Sequence, residues 1–314
     1  MTKKEFLDAL SAKNSGISDE EMTALREYHS EMIDEMCEDG MTEEEAVAHL
    51  AKEKESYYNI PMEHSNVYIN ANVKHSREKS VGFDSISAIE ANLTVSELNI
   101  EPTKDTMGRV VMKCDTSNPC ILITISHGKM TISEKMKYSN GHFNSYVSDI
   151  TVYIPENITL DYAGIRTASG DVSISSINIG KIGISTASGD VTLTKVYSDT
   201  INVVTASGDF SLNGSECNTA DFKTASGDIE ISGAHFTNYL SAYTASGDVV
   251  IHNTLSKFTE ISTATGDVVA EACSRTDYSI HTISGDIINY HQHPDVENVD
   301  ICKIKTVSGD IRFE

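Results

Sequence analysis

The sequence predicts a mainly β fold: a single-stranded parallel β-helix of coils about 19 residues long, preceded by a small α-helical domain of about three helices. Three observations carry this. A five-residue motif recurs at a nearly constant period, positions at fixed offsets from it are apolar in copy after copy, and β-branched residues dominate between copies.

The motif Thr167-Ala168-Ser169-Gly170-Asp171 returns at Asp190, Asp209, Asp228, Asp248, Asp267, Asp286 and Asp310, with successive spacings of 19, 19, 19, 20, 19, 19 and 24 residues. That period is too short for a propeller blade and suits one coil of a β-solenoid. The residue after each Asp is Val172, Val191, Phe210, Ile229, Val249, Val268, Ile287 or Ile311, apolar in all eight copies. Two residues further on stand Ile174, Leu193, Leu212, Ile231, Ile251, Ala270, Asn289 and Phe313, whereas the residue between follows no pattern. This is strand alternation. A third apolar column, Ile165, Ile184, Val203, Phe222, Ala242, Ile261, Ile280 and Ile304, lies six residues before the Asp, so each coil has at least two strands that meet at Ser-Gly-Asp.

The eight glycines read as corner residues chosen for positive φ rather than as a phosphate loop, since no Gly-x-Gly-x-x-Gly follows a strand. Alternation points the Thr column inward, where stacked hydroxyls can satisfy corner backbone groups. The Asp column, Asp171, Asp190, Asp209, Asp228, Asp248, Asp267, Asp286 and Asp310, stacks carboxylates about 4.8 Å apart, and neighbours repel by roughly 0.8 kcal/mol in water. Hydrogen bonds to corner N–H groups or bound cations must offset this. Calcium is the one cofactor the column suggests, but it takes six to eight oxygens and one Asp per coil supplies few.

Residues 62–150 lack the motif but keep short β-like runs at Leu93-Thr94-Val95, Val110-Val111-Met112, Ile121–Ile125, Met130-Thr131-Ile132 and Val152–Pro155, with a turn at His127-Gly128-Lys129. They read as irregular first coils of one solenoid spanning 62–314, with regular repeats over 151–314. At 19 residues per coil this gives about 13 coils and a rod near 60 Å long. Residues 1–58 carry three capping boxes, Thr2-x-x-Glu5, Ser18-x-x-Glu21 and Thr42-x-x-Glu45, each of which starts a helix. Met22, Leu25, Met32, Ile33 and Met36 share one face of the second, which Asp39-Gly40 ends. An EF-hand around Gly40 fails because Cys37 and Ala46 would fall on ligand positions.

Composition excludes several functions. With 24 basic and 47 acidic residues the net charge is −23, which argues against nucleic acid and anionic membranes as partners. No apolar run is long enough to span a membrane, and Met1 to Asp8 lack a signal-peptide core, so the expected location is cytoplasmic, with the cell envelope as alternative. Cys114 and Cys120 flank a short turn and either pair or pack reduced. The 24-residue spacing contains His291, His293 and Asp295, a weak metal candidate without a convincing third ligand and more simply a solvated loop. An Asp in every coil is a structural column rather than the carboxylate pair of a glycosidase, and no Trp is present to form a sugar platform, so no catalytic residue is assigned.

The Thr-Ala-Ser-Gly-Asp repeat, with Val152-Tyr153-Ile154-Pro155 before its first copy, resembles the bacterial putative-adhesin β-helix family of unknown function. The head, from Lys4-Glu5-Phe6-Leu7 through Glu43-Glu44-Glu45-Ala46-Val47, resembles the HAAS signalling domain, although no membrane span follows it here. With no catalytic arrangement recognisable, the expected function is a non-catalytic interaction or scaffold protein, with the helical head as a docking or signalling module; an envelope-exposed carbohydrate-binding or adhesive module is the alternative and a polysaccharide-active enzyme the third reading. Because Ile311-Arg312-Phe313-Glu314 ends inside a strand, the C-terminal coil is expected to be open to a protein partner or to self-association.

Overall fold

The computed structural model describes residues 2–5, 7–8, 26, 30, 33, 37, 41–45, 47, 69–70, 78–114, 121–134, 137–139, 142–144, 148–270, 276–288 and 300–313. The chain divides into two compact units, Met1–Ser65 and Asn66–Glu314.

In the first unit residues 3–5, 7–8, 26, 30, 33, 37, 43–45 and 47 are helical. Two capping boxes are closed reciprocally. The Glu5 N–H donates to Thr2 Oγ1 at 3.3 Å while the Thr2 N–H donates to Glu5 Oε2 at 2.9 Å, and Thr42 and Glu45 repeat both distances. Hydrogen bonds from the Thr42 backbone and hydroxyl lower the Glu45 carboxyl pKa. The Ser18 box and Met22, Leu25, Met32 and Met36 lie outside the described residues.

The second unit is a solenoid of two 12-stranded sheets, and Lys137–Ser139 pairs antiparallel with His142–Asn144 as a separate two-stranded sheet. From Leu160 onward each coil gives a longer strand to one sheet, as in Leu160–Thr167 and Ile179–Thr186, and a short one to the other, as in Val172–Ser175 and Val191–Thr194. In-register parallel pairing stacks each apolar column: Ile165 on Ile184, Val203, Phe222, Ala242 and Ile261 in turn. These six are buried, as are Val172, Val191, Phe210, Ile229, Val249 and Val268 on the facing sheet. The single 20-residue spacing is absorbed as a bulge in the strand His235–Tyr243, so register is regained within one strand.

At both ends the spatial order of coils departs from the order in sequence. Near the N-terminal end, Ala88–Asn92 and Glu97–Thr103 lie between strands from 129–155 and the coil starting at Leu160. Near the other end, Asp300–Lys305 pairs with Leu255–Ser262 on one side and Thr276–His281 on the other. Ile311–Phe313 likewise lies between Val268–Ala270 and Ile287–Ile288. The coil that ends the sequence is therefore interior, which corrects the expectation of an open C-terminal coil; the terminal coil in space is 276–288. The 24-residue spacing is the longer return that this exchange of places needs.

The count of about 13 coils is also corrected. In each sheet ten strands pair in parallel, and the two at the N-terminal end, Ile69–Asn70 and Ile121–Ser126 in one and Glu78–Phe83 and Gly108–Cys114 in the other, are joined by antiparallel pairings and so add no coil of the same kind. One of these pairings turns at His127 and Gly128, with φ of 51° and 74°, the paired positive values of a tight β-hairpin. Leu93-Thr94-Val95, expected as a strand, is the corner between Ala88–Asn92 and Glu97–Thr103.

The Ser-Gly-Asp glycines have a different cause from the one expected, for none of them is among the residues at positive φ. A Cβ on Gly227 would stand 2.0 Å from the carbonyl oxygen of Gly208, and the other seven face a carbonyl beneath them as closely. These glycines permit backbone to pack on backbone between coils. Positive φ belongs to the opposite corner, at Ser176, Lys195, Gly214, Gly233 and Asn253, with φ from 46° to 61°.

Candidate functional site

The repeated polar residues form the corner itself. In each of the eight coils the Thr hydroxyl accepts the N–H of the Gly three residues on, at 2.9–3.1 Å. In four coils of the C-terminal half the hydroxyl also reaches the Gly carbonyl of the coil beneath, at 3.1–3.4 Å. Seven of the eight Asp carboxylates, all but that of Asp286, accept the backbone N–H of the Asp above at 2.7–2.9 Å, in the spatial order Asp171, Asp190, Asp209, Asp228, Asp248, Asp267, Asp310, Asp286. Charge-assisted bonds of this kind offset the repulsion of stacked carboxylates. Among the described residues no group of His, Cys, Asp and Glu could hold a metal ion. His291, His293, Asp295 and Cys120 lie outside the described residues.

With the repeated polar residues of the corners committed to packing, the outer face of the longer strands is one surface left for recognition. The column nine residues before each Asp is on the outer face wherever burial is described. In sequence order it reads Tyr162, Lys181, Thr200, Thr219, Tyr239, Phe258, Asp277 and Ile301. The exchange of the last two coils changes its neighbours: Tyr239 pairs with Phe258, and Phe258 pairs with Ile301 rather than with Asp277. All three are exposed, and so is Tyr243, which shares a strand and a face with Tyr239. Adjacent strands are about 4.8 Å apart, so Tyr239, Phe258 and Ile301 form a continuous apolar ridge, and Tyr243 extends it on the same face beyond Ser241.

Polar groups fix the ridge in place. The Tyr239 hydroxyl donates to Glu260 Oε2 at 3.2 Å, and Lys305 Nζ lies 3.4 Å from Glu260 Oε1. Partial burial, and after it the negative charge of Glu260, raises the Tyr239 pKa. The Lys257 ammonium stands 5.5 Å from the Phe258 ring centroid. The ridge offers ring faces and aliphatic surface beside a clamped carboxylate, chemistry suited to binding. Sequence reasoning missed it, because the apolar run appears only when the column is read in spatial order.

Residues 86–314, more than half of the chain, match the Toastrack DUF4097 family, and the chain belongs to that family. Its fold is shared with a putative adhesin from Bacteroides fragilis at a TM-score of 0.50 and 16% identity, covering 77% of this chain and 99% of that one. A putative lipid binding protein from Parabacteroides distasonis matches at a TM-score of 0.52 and 16% identity, covering 77% and 98%. No curated protein matches the chain.

Proposed function

We propose that this Toastrack protein is a non-catalytic interaction module that binds a protein partner through the ridge of Tyr239, Phe258, Ile301 and Tyr243, with residues 1–58 as a HAAS-like docking or signalling head. The observation that carries the reading is the division of labour between corner and face. Thr, Ser, Gly and Asp of the motif bond coil to coil, while large apolar side chains stay in water on the outer face of one sheet, where burying each would contribute about 1.5–3 kcal/mol. The names of the fold neighbours, an adhesin and a lipid binding protein, are those of attachment rather than turnover.

A photo-crosslinking residue at position 258, in the full chain in its native host, is expected to capture a defined protein. The same residue at position 192, on the outer face of the other sheet, is expected to capture none, and Tyr239→Ser is expected to abolish the capture at 258. Equal capture at both faces overturns the reading. The two adjacent rings also favour a second reading, a carbohydrate ligand. Chemical-shift changes at Tyr239 and Phe258 on adding soluble oligosaccharides, with no crosslinked protein, would select it.

A further inference from the structure

We propose that the coil 276–288 is a dimerisation surface, on which a second copy of this chain stacks end to end. This surface is separate from the ridge and does not depend on it. Among the described residues the coil is last in order in both sheets, with a neighbour on one side only: Thr276–His281 pairs with Asp300–Lys305, and Ile287–Ile288 with Ile311–Phe313. Ile287 is 46% exposed, whereas Ile311 beneath it in the same column is 0% exposed. Ile280 is only partly buried, against 0% exposure for Ile304. The inward columns of the solenoid thus run out into solvent here, and the strand edges carry backbone groups that every interior coil spends on pairing.

The motif itself changes at this end. The second residue of Thr-Ala-Ser-Gly-Asp is Ala168, Ala187, Ala206, Ala225, Ala245 and Ala264 in six copies, but Val307 and Ile283 in the other two. These two are adjacent in space, since the Ser284 N–H donates to the Val307 carbonyl. Ile283 is 70% exposed and Val307 also faces solvent. The corner gains apolar surface only in the last two coils of the stack, which a corner serving packing alone does not require.

The occupant follows from chemistry and closure. The uncovered face is continuous with, and built like, the coil-to-coil interface of the solenoid, so the surface that matches it is another coil of this kind. Head-to-tail growth is opposed because the other end is not a coil of this kind: its outermost described strands, Ile69–Asn70 and Glu78–Phe83, are held by antiparallel pairing, and the last corner N–H groups, those of Thr94, Val95 and Ser96, are already bonded to Glu134. What remains is the contact of one coil 276–288 with its counterpart, an isologous pairing that closes at two copies. With a net charge of −23 on each chain, the pairing strengthens as salt screens the repulsion.

Light scattering on the full chain over a concentration series at low and high salt tests this. The expected mass rises to twice that of the chain and stops, at lower concentration in high salt. Ile283→Lys and Ile287→Lys, both at exposed positions, are each expected to shift the midpoint at least tenfold to higher concentration, while Phe258→Ser leaves it unchanged. A monomer at every concentration overturns the proposal. So does mass that grows past two copies, a dimer indifferent to both Lys variants, or a dimer lost in Phe258→Ser.

Discussion

The two ends of the solenoid solve the same problem differently. A stack of coils leaves unpaired backbone groups and an uncovered core at each end. At the N-terminal end the Glu134 carboxylate accepts the N–H groups of Thr94, Val95 and Ser96 at 2.7–3.1 Å, and antiparallel strands lie beyond. At the opposite end the described residues of coil 276–288 leave Ile283 and Ile287 exposed. One end is terminated within the chain; the other keeps the chemistry of a repeat that expects a further copy. Capping is thus a local substitution of partners at the corner, whereas the remainder of each coil can stay a repeat.

The strongest test of this comparison is steric. Gly227→Ala puts a Cβ 2.0 Å from the Gly208 carbonyl oxygen in the middle of the stack, and forcing the coils apart is expected to cost about 3 kcal/mol or more in denaturant unfolding. Ser96 occupies the same column at the closed end and carries a Cβ, and its own carbonyl is the one that faces Gly170. A Gly227→Ala protein as stable as the parent would show that the column does not need glycine.

Next in size is the cap. Glu134→Ala leaves three N–H groups without their charged acceptor and is expected to cost about 2–3 kcal/mol. Amide hydrogen exchange of Thr94, Val95 and Ser96 should quicken, while that of Asp228 in the interior should not. Loss of protection spread evenly along the solenoid would mean that the ends do not differ in the way described.

How far these features could be read in the sequence depends on whether they repeat. Ile165 and its equivalents were legible because a solenoid writes each buried position many times, and one Ala or Phe does not obscure the column. The spatial exchange of 276–288 with 300–313 was not, since the two coils share the motif and carry Ile at two of their three inward columns, which does not say which of them follows 255–270 in the stack. Only the 24-residue spacing before Asp310 signalled it. The ridge was hidden for the same reason, because Asp277 interrupts Phe258 and Ile301 in sequence but not in space. The glycines were located correctly and explained wrongly: their clash is with a carbonyl about 19 residues away, which local turn chemistry does not reveal. At the opposite corner, Lys195 and Ser176 at positive φ give no signal at all, while Gly214, Gly233 and Asn253 do.

The Asp ladder gives a smaller contrast along the same axis. Asp209→Ala removes the acceptor of the Asp228 N–H and is expected to cost about 1–2 kcal/mol. Among the described residues no coil lies above the Asp286 carboxylate, so Asp286→Ala is expected to change stability by no more than about 0.5 kcal/mol, within the range of an ordinary surface substitution. Equal losses at the two positions would show that the carboxylates act through something other than the N–H of the next coil.

The smallest expected effect is a gain, and it lies at the closed end. The Ser96 hydroxyl is buried with no hydrogen-bond partner, although its N–H is bonded to Glu134. The position tolerates a Cβ but has no use for an oxygen, so Ser96→Ala keeps the packing, leaves the backbone bond to Glu134 in place and removes an unsatisfied group. Stability is expected to rise by about 1 kcal/mol, the lower end of the usual desolvation penalty. A loss instead would mean that the hydroxyl takes part in the cap, and that the closed end depends on a partner for Ser96 as well as on the three N–H groups that Glu134 gathers.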